Sequence, residues 1–123
     1  MYKKILVPLD GSNAAETVLP LARSWSAQLK LPVELIAVVD TAELASSLST
    51  VERFYMNNLI EEETRRCREY LESAKNVFPD GCKPRLEKGM AADIIIDAAS
   101  ADKGTLIMMA THGRSGLSRW LLG

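Results

Sequence analysis

The sequence predicts an α/β fold: a three-layer, open parallel sheet with helices on both faces. Three observations lead there. Short, unbroken apolar runs recur along the chain, segments of helical period lie between them, and Pro, Gly and Asp mark the changeovers.

Ile5, Leu6 and Val7 form the first run, with no polar residue to mark a solvent face, as in a strand covered on both sides. Pro8 has no N–H to give to a neighbouring strand and belongs at its end, before Asp10-Gly11. Ser12 or Asn13 caps the helix that follows, with Glu16 placed to complete a capping-box pair with Asn13. Ala15, Val18, Leu19, Ala22, Trp25 and Leu29 give this helix one apolar face, and Pro20 inside it predicts a kink. Residues 33–39 read as a second strand ending at Asp40, and 41–49 as a loop or weak helical turn.

A long helix is expected over 51–77, with Phe54, Tyr55, Leu59, Tyr70, Leu71, Ala74 and Phe78 as its apolar stripe. Glu61 with Arg65, and Glu62 with Arg66, are spaced as i,i+4 ion pairs on its solvated face. Phe78-Pro79-Asp80-Gly81 ends it. Residues 83–88 form a short third strand closed by Gly89, 91–100 a third helix, and 105–109 a fourth, buried strand. Leu117, Trp120, Leu121 and Leu122 suggest a last helix.

At 123 residues the chain fits one domain, 1–123, with the 47% hydrophobic and 25% charged residues of a globular protein. A net charge of -1 lacks the basic excess that phosphate neutralisation demands, which argues against a nucleic-acid partner. No apolar run reaches the roughly 18–20 residues needed to span a bilayer. Pro8 and Asp10 interrupt the run after Lys3-Lys4 before it reaches signal-peptide length, so a cytoplasmic location is expected. Cys67 and Cys82 have no metal-ligand spacing and read as two reduced thiols.

In an open α/β sheet, ligands lie outside the carboxyl ends of the strands, where the strand order reverses. Two segments fall there: 8–12 after the first strand and 110–123 after the fourth. In the second, Gly113 and Gly116 let backbone N–H groups approach an anion, the expected helix start adds more, and Arg114 offers a charge. Asp10 suits a ribose, a base or a metal carried by a nucleotide. His112, the only histidine, suits loop polarity or a ribose contact better than catalysis, and Ser12 suits a helix cap better than a nucleophile. Spacing alone leaves plain turn glycines and a ligand loop both open.

The opening, Tyr2-Lys3-Lys4-Ile5-Leu6-Val7-Pro8-Leu9-Asp10-Gly11-Ser12, resembles the first strand and turn of universal stress proteins of the A-like, ATP-binding kind. Ala110-Thr111-His112-Gly113, followed after nine residues by Gly123, resembles their nucleotide motif of Gly, two residues, Gly, nine residues, Gly, then Ser or Thr. The resemblance implies strand order 3-2-1-4-5, a homodimer, and ATP or another adenine nucleotide as ligand, with or without Mg2+. It also implies a site: Pro8, Leu9, Asp10 and Ser12 on the first turn, Val38 at the base pocket, and Ala110, Thr111, His112, Gly113, Arg114, Ser115, Gly116 and Gly123 around ribose and phosphates. Nothing resembles a Walker lysine, so a regulatory protein with at most slow hydrolysis is implied.

Two departures stand out. Ala110 replaces the first motif glycine, which costs about 1 kcal/mol if the backbone there needs a positive φ. The chain stops at Gly123, before the hydroxyl residue and before any fifth strand, so a truncated domain with an unpaired fourth-strand edge is expected. An interaction module that has lost nucleotide binding is the alternative that Ala110 favours.

Overall fold

The computed structural model describes residues 1–112 and 118–122, with side chains through residue 110 apart from Ala14. Its strands are β1 (Lys4–Pro8), β2 (Val33–Asp40), β3 (Lys83–Gly89), β4 (Thr105–His112) and β5 (Ser118–Leu122). They form one sheet in the order β3-β2-β1-β4-β5. The first three pairings across it are parallel and β4–β5 is antiparallel. Ile5 lies between Val33 and Leu106, and Leu6 between Glu34 and Ile107, which fixes the register at the centre.

Helices connect the strands: α1 (Asn13–Glu16), α2 (Val18–Leu29), α3 (Thr41–Ser47), α4 (Thr50–Arg53), α5 (Met56–Ala74) and α6 (Ala91–Ala101), with a 3-10 turn at Lys75–Val77 after α5. On one face of the sheet Ile5, Val7, Leu35 and Met108 pack with Val18 and Ala22 of α2 and Leu71 and Ala74 of α5. On the other, Leu6 and Ile36 pack with Ala98 of α6. Successive strand side chains point to opposite faces, so a run apolar at every position is what burial on both faces requires. Ile5, Leu6 and Val7 are all 0% exposed.

The expected kink at Pro20 is a break. The helix divides at Thr17, leaving Pro20 in the first turn of α2, where its missing N–H costs least. Ser12, not Asn13, caps α1: its Oγ accepts from the Ala15 N–H at 3.1 Å. The stretch expected as a loop over 41–49 is largely α3, because the Asp40 side chain caps it. The long helix starts separately as α4, through a reciprocal capping box between Ser49 and Glu52, and restarts as α5 after Phe54 and Tyr55. Those two aromatics are 84% and 61% exposed, so this turn lacks the packing that carries a helix through. The surface ion pairs also differ from expectation. Arg65 reaches Glu62 and Glu69, and Arg66 reaches Glu63, since i,i+3 neighbours share a helix face as i,i+4 neighbours do.

The largest difference lies at the end of the chain. Residues expected as a helix after 117 form β5, with Met108 opposite Leu122 and His112 opposite Ser118. A short apolar segment reads equally as helix or strand, and here the unpaired N–H and C=O groups along β4 decide. The fifth strand is therefore present, antiparallel, and covers the edge that was expected to be open. The opposite edge, β3, is built from Lys83, Pro84, Arg85, Glu87 and Lys88.

A charged row crosses the base of the sheet. Glu34 of β2, only 7% exposed, accepts from Lys4 Nζ at 3.5 Å and Arg85 Nη1 at 3.3 Å. Lys4 also meets Asp102 Oδ2 at 2.8 Å, and this hydrogen bond raises the Lys4 pKa against the smaller opposing effect of burial. Removing Glu34 takes from Lys4 and Arg85 the more buried of the two carboxylates that each contacts, leaving Asp102 and Glu87. Glu34→Ala is expected to lower unfolding free energy by about 1–3 kcal/mol in urea titrations, whereas Glu62→Ala on the solvated face of α5 leaves the midpoint unchanged.

Candidate functional site

Parallel neighbours end at the same rim, so the exits of β1, β2 and β4 gather at one end of the sheet. The chain leaving β1 stays bonded to β2 for one more step, Leu9 N–H donating to the Ile36 carbonyl at 2.8 Å. It then turns on Asp10, whose Oδ1 accepts from the Ser12 N–H at 2.9 Å. Gly11 takes φ +83°, the left-handed region where a Cβ is strained even though nothing lies within 4 Å of it. The turn delivers α1 against β4, which ties the β1 exit to the β4 end of the rim.

The β2 exit is fastened by one side chain. Asp40 Oδ1 accepts from the Glu43 N–H at 2.9 Å and Oδ2 from the Ala91 N–H at 3.0 Å, so one carboxylate caps the start of α3 and of α6. These backbone bonds, to Glu43 first and then Ala91, hold its pKa below the ordinary value of 3.8.

Between these exits opens a cleft of about 680 Å³. Leu9, Asp10 and Gly11 form one side of it and Ala37, Val38, Val39 and Asp40 its floor. Glu43, Leu44 and Ser47 reach it from α3, and Glu63, Arg66, Cys67 and Tyr70 from α5. The α5 residues fall at i, i+3, i+4 and i+7, one face of that helix. Arg66 Nη1 bonds Glu63 Oε1 at 2.7 Å. Burial, and then Glu63, raises the Cys67 thiol pKa. Burial pushes the Tyr70 phenol up to about 12, and Glu16 and Asp10 add to it, so it stays protonated at neutral pH. Its enclosed oxygen has no partner in hydrogen-bond geometry among the described residues, although the Glu16 carboxylate is close enough to act on it.

Of the residues expected at a site, Leu9, Asp10 and Val38 line this cleft together. Pro8 is buried one step back in β1, and Ser12 is engaged as a cap. Ala110, Thr111 and His112 are the last residues of β4, which runs further than expected. Ala110 is extended, and Lys30 is the one non-glycine residue with positive φ among the described residues, so Ala110 carries no backbone penalty. Gly113, Arg114, Ser115, Gly116 and Gly123 lie outside the described residues. The helix expected to aim N–H groups at an anion is replaced by β5. The α5 wall was missed as a site feature. Its one signal was Tyr70, which the periodic pattern assigns to the apolar stripe. No set of three His, Cys, Asp or Glu able to hold a metal occurs among the described residues, and no described helix is long and apolar enough to cross a membrane.

The universal stress protein family model matches residues 1–123. The chain belongs to the universal stress protein family. Universal stress protein MJ0531 of Methanocaldococcus jannaschii is 32% identical over 130 positions, covering 100% of this chain and 72% of the relative. Universal stress protein MJ0577 of the same organism is 29% identical over 138 positions, covering 100% and 85%. The solved structure of MJ0577 superposes with a TM-score of 0.75 at 30% identity, over 95% of this chain and 80% of that one. A universal stress protein structure from Burkholderia pseudomallei gives 0.67 at 28% identity, over 90% and 83%.

In this family member the Asp40 carboxylate should be visible in the acid limb of stability. Its depressed pKa means that the stabilisation is complete above the unfolded value of 3.8 and is lost as pH falls through the lower folded value. Asp40→Asn keeps one acceptor oxygen for two N–H groups. Its melting temperature is expected below wild type at pH 7, with the gap closing towards pH 3 in a series of thermal melts.

Proposed function

We propose that this universal stress protein binds an adenine nucleotide in the cleft at the ends of β1 and β2, and acts as a regulatory stress-response protein. The observation that supports this best is the meeting of Leu9, Asp10 and Val38 in one cleft, since the resemblance to the ATP-binding branch implicates those positions and Val38 is distant in sequence from the Leu9-Asp10 turn. Apolar Leu9, Ala37 and Val39 suit a base, and the polar Asp10 turn suits a ribose. The end of β4, followed by Gly113 to Gly116, is the proposed place for phosphates. Homodimerisation belongs to the same proposal and rests on the family resemblance, and a cytoplasmic setting is proposed with it. Slow or no hydrolysis is proposed because no lysine or base in the sequence resembles those of phosphoryl-transfer sites.

Calorimetric titration of the folded chain with ATP tests the reading, and absence of binding in the millimolar range defeats it. Cys67 supplies a local check, because it lines the cleft whereas Cys82 packs against the core beyond it. ATP at about ten times its Kd is expected to slow Cys67 alkylation roughly tenfold and leave Cys82 unchanged, as read by peptide mass spectrometry.

The alternative, an interaction module without nucleotide, draws on Ala110. Because Ala110 is extended, Ala110→Gly relieves no strain, and ATP affinity is expected to rise by less than about threefold. A gain of roughly a hundredfold in the same titration favours the alternative.

A further inference from the structure

The two ends of the sheet differ in charge. The described lining of the cleft at the carboxyl ends carries four carboxylates against one guanidinium, Arg66. At the amino ends a second recess, of about 350 Å³, lies between the starts of β1 and β4 and is lined by Lys3, Lys4, Pro32, Ala101, Asp102 and Lys103. It continues into the charged row across the sheet, where Lys4 meets Glu34 and Asp102, and Arg85 meets Glu34 and Glu87. Lys4 first, and then Arg85 and Lys83, lower the Asp102 pKa, so these charges act on one another across four strands. Beside the row, Lys3, Lys83 and Lys103 are exposed and have no hydrogen bond or ion pair among the described residues. They are therefore not engaged as caps on the carbonyl ends of α2 and α6. The position of Lys3 is fixed: the Gly104 carbonyl accepts from its N–H at 2.7 Å, and a Cβ on Gly104, at φ +88°, would lie only 3.1 Å from Lys3 Cγ. Lys3 thus rests on the residue that follows Lys103. This local surplus of positive charge belongs to a chain whose net charge is -1.

In the order β3-β2-β1-β4, Lys83 opens β3 and Lys103 precedes β4. Three strand spacings separate them, roughly 14 Å, which one small anion cannot span and which about four residues of extended chain can. The carboxylates of Asp102 and Glu87 stand in the row and repel an evenly charged phosphodiester chain. A peptide places its carboxylates only where lysines meet them, and its backbone N–H groups suit the exposed Asp102 oxygens. We propose that the amino-terminal rim of the sheet is a docking surface for an extended, acidic segment of a partner protein, held by Lys3, Lys103 and Lys83. The segment crosses the strand starts and does not pair with the β3 edge. The carboxylates around the cleft repel it, so the charge difference between the two ends steers the partner to one of them. This surface is independent of what the cleft binds.

The test titrates a fluorescent peptide of alternating Glu and Ser, about ten residues long, with the full chain and follows anisotropy at low salt. The double substitution Lys3→Gln with Lys103→Gln is expected to weaken binding roughly tenfold, and Lys83→Gln roughly threefold, with melting temperatures unchanged. Lys88→Gln, an exposed change at the far end of β3, is expected to alter it by less than about twofold and controls for net charge. Carbodiimide cross-linking of the peptide to wild type, mapped by mass spectrometry, gives a readout that no substitution can disturb, and Lys3, Lys83 and Lys103 are expected to carry the cross-links. No binding by wild type below millimolar concentration, an equal loss in Lys88→Gln, or cross-links spread evenly over the surface lysines overturns the proposal. Binding of an oligothymidylate of matched length as tight as that of the peptide also overturns it, in favour of a nucleic-acid partner.

Discussion

The architecture depends on the double-sided burial of β1. Ile5, Leu6 and Val7 have no solvent face, so β1 must have a hydrogen-bonded neighbour on each side and a helical layer above and below. Parallel neighbours can be supplied only by long crossovers that return the chain to the same starting edge. Every strand next to β1 therefore leaves at one rim, and the polar turns displaced from the core collect there. The cleft is a by-product of that arrangement before it is anything else.

Much of this could be read from the sequence because burial leaves a strong mark on residue choice. The runs at Ile5 and at Val33 cannot be half-exposed, and the helical spacing of Val18, Leu19 and Ala22 gives their covering layer. Asp10 was singled out by its chemistry at a strand exit and Val38 by family resemblance, and the two line one cleft. Where packing did not decide, the reading was weaker. The segment after Asp40 has no periodicity because α3 buries no residue, and its existence depends on one capping carboxylate that alternation cannot reveal. Phe54 and Tyr55 have the composition of a core stripe but stay exposed.

The misreading at the end of the chain has a different origin. Five residues rich in Trp and Leu satisfy a helix or a strand equally well, and the decision belongs to a neighbour far away in the pairing pattern. Once β4 is buried next to β1, its free side demands a hydrogen-bonding partner. The chain supplies one by doubling back. The wall from α5 was hidden for a related reason: Glu63, Arg66, Cys67 and Tyr70 share a helix face with core residues, and only the position of that helix over the strand ends turns them towards a cleft.

The two rims of the sheet that run along the strands are also unlike one another. β3 carries Lys83, Pro84, Arg85, Glu87 and Lys88, a combination that resists zipper-like addition of a foreign strand by charge and by a missing amide proton. The flank beyond β4 has no such guard in its own sequence and is covered by β5. Self-association through backbone pairing is thus discouraged on one flank and governed on the other by β5.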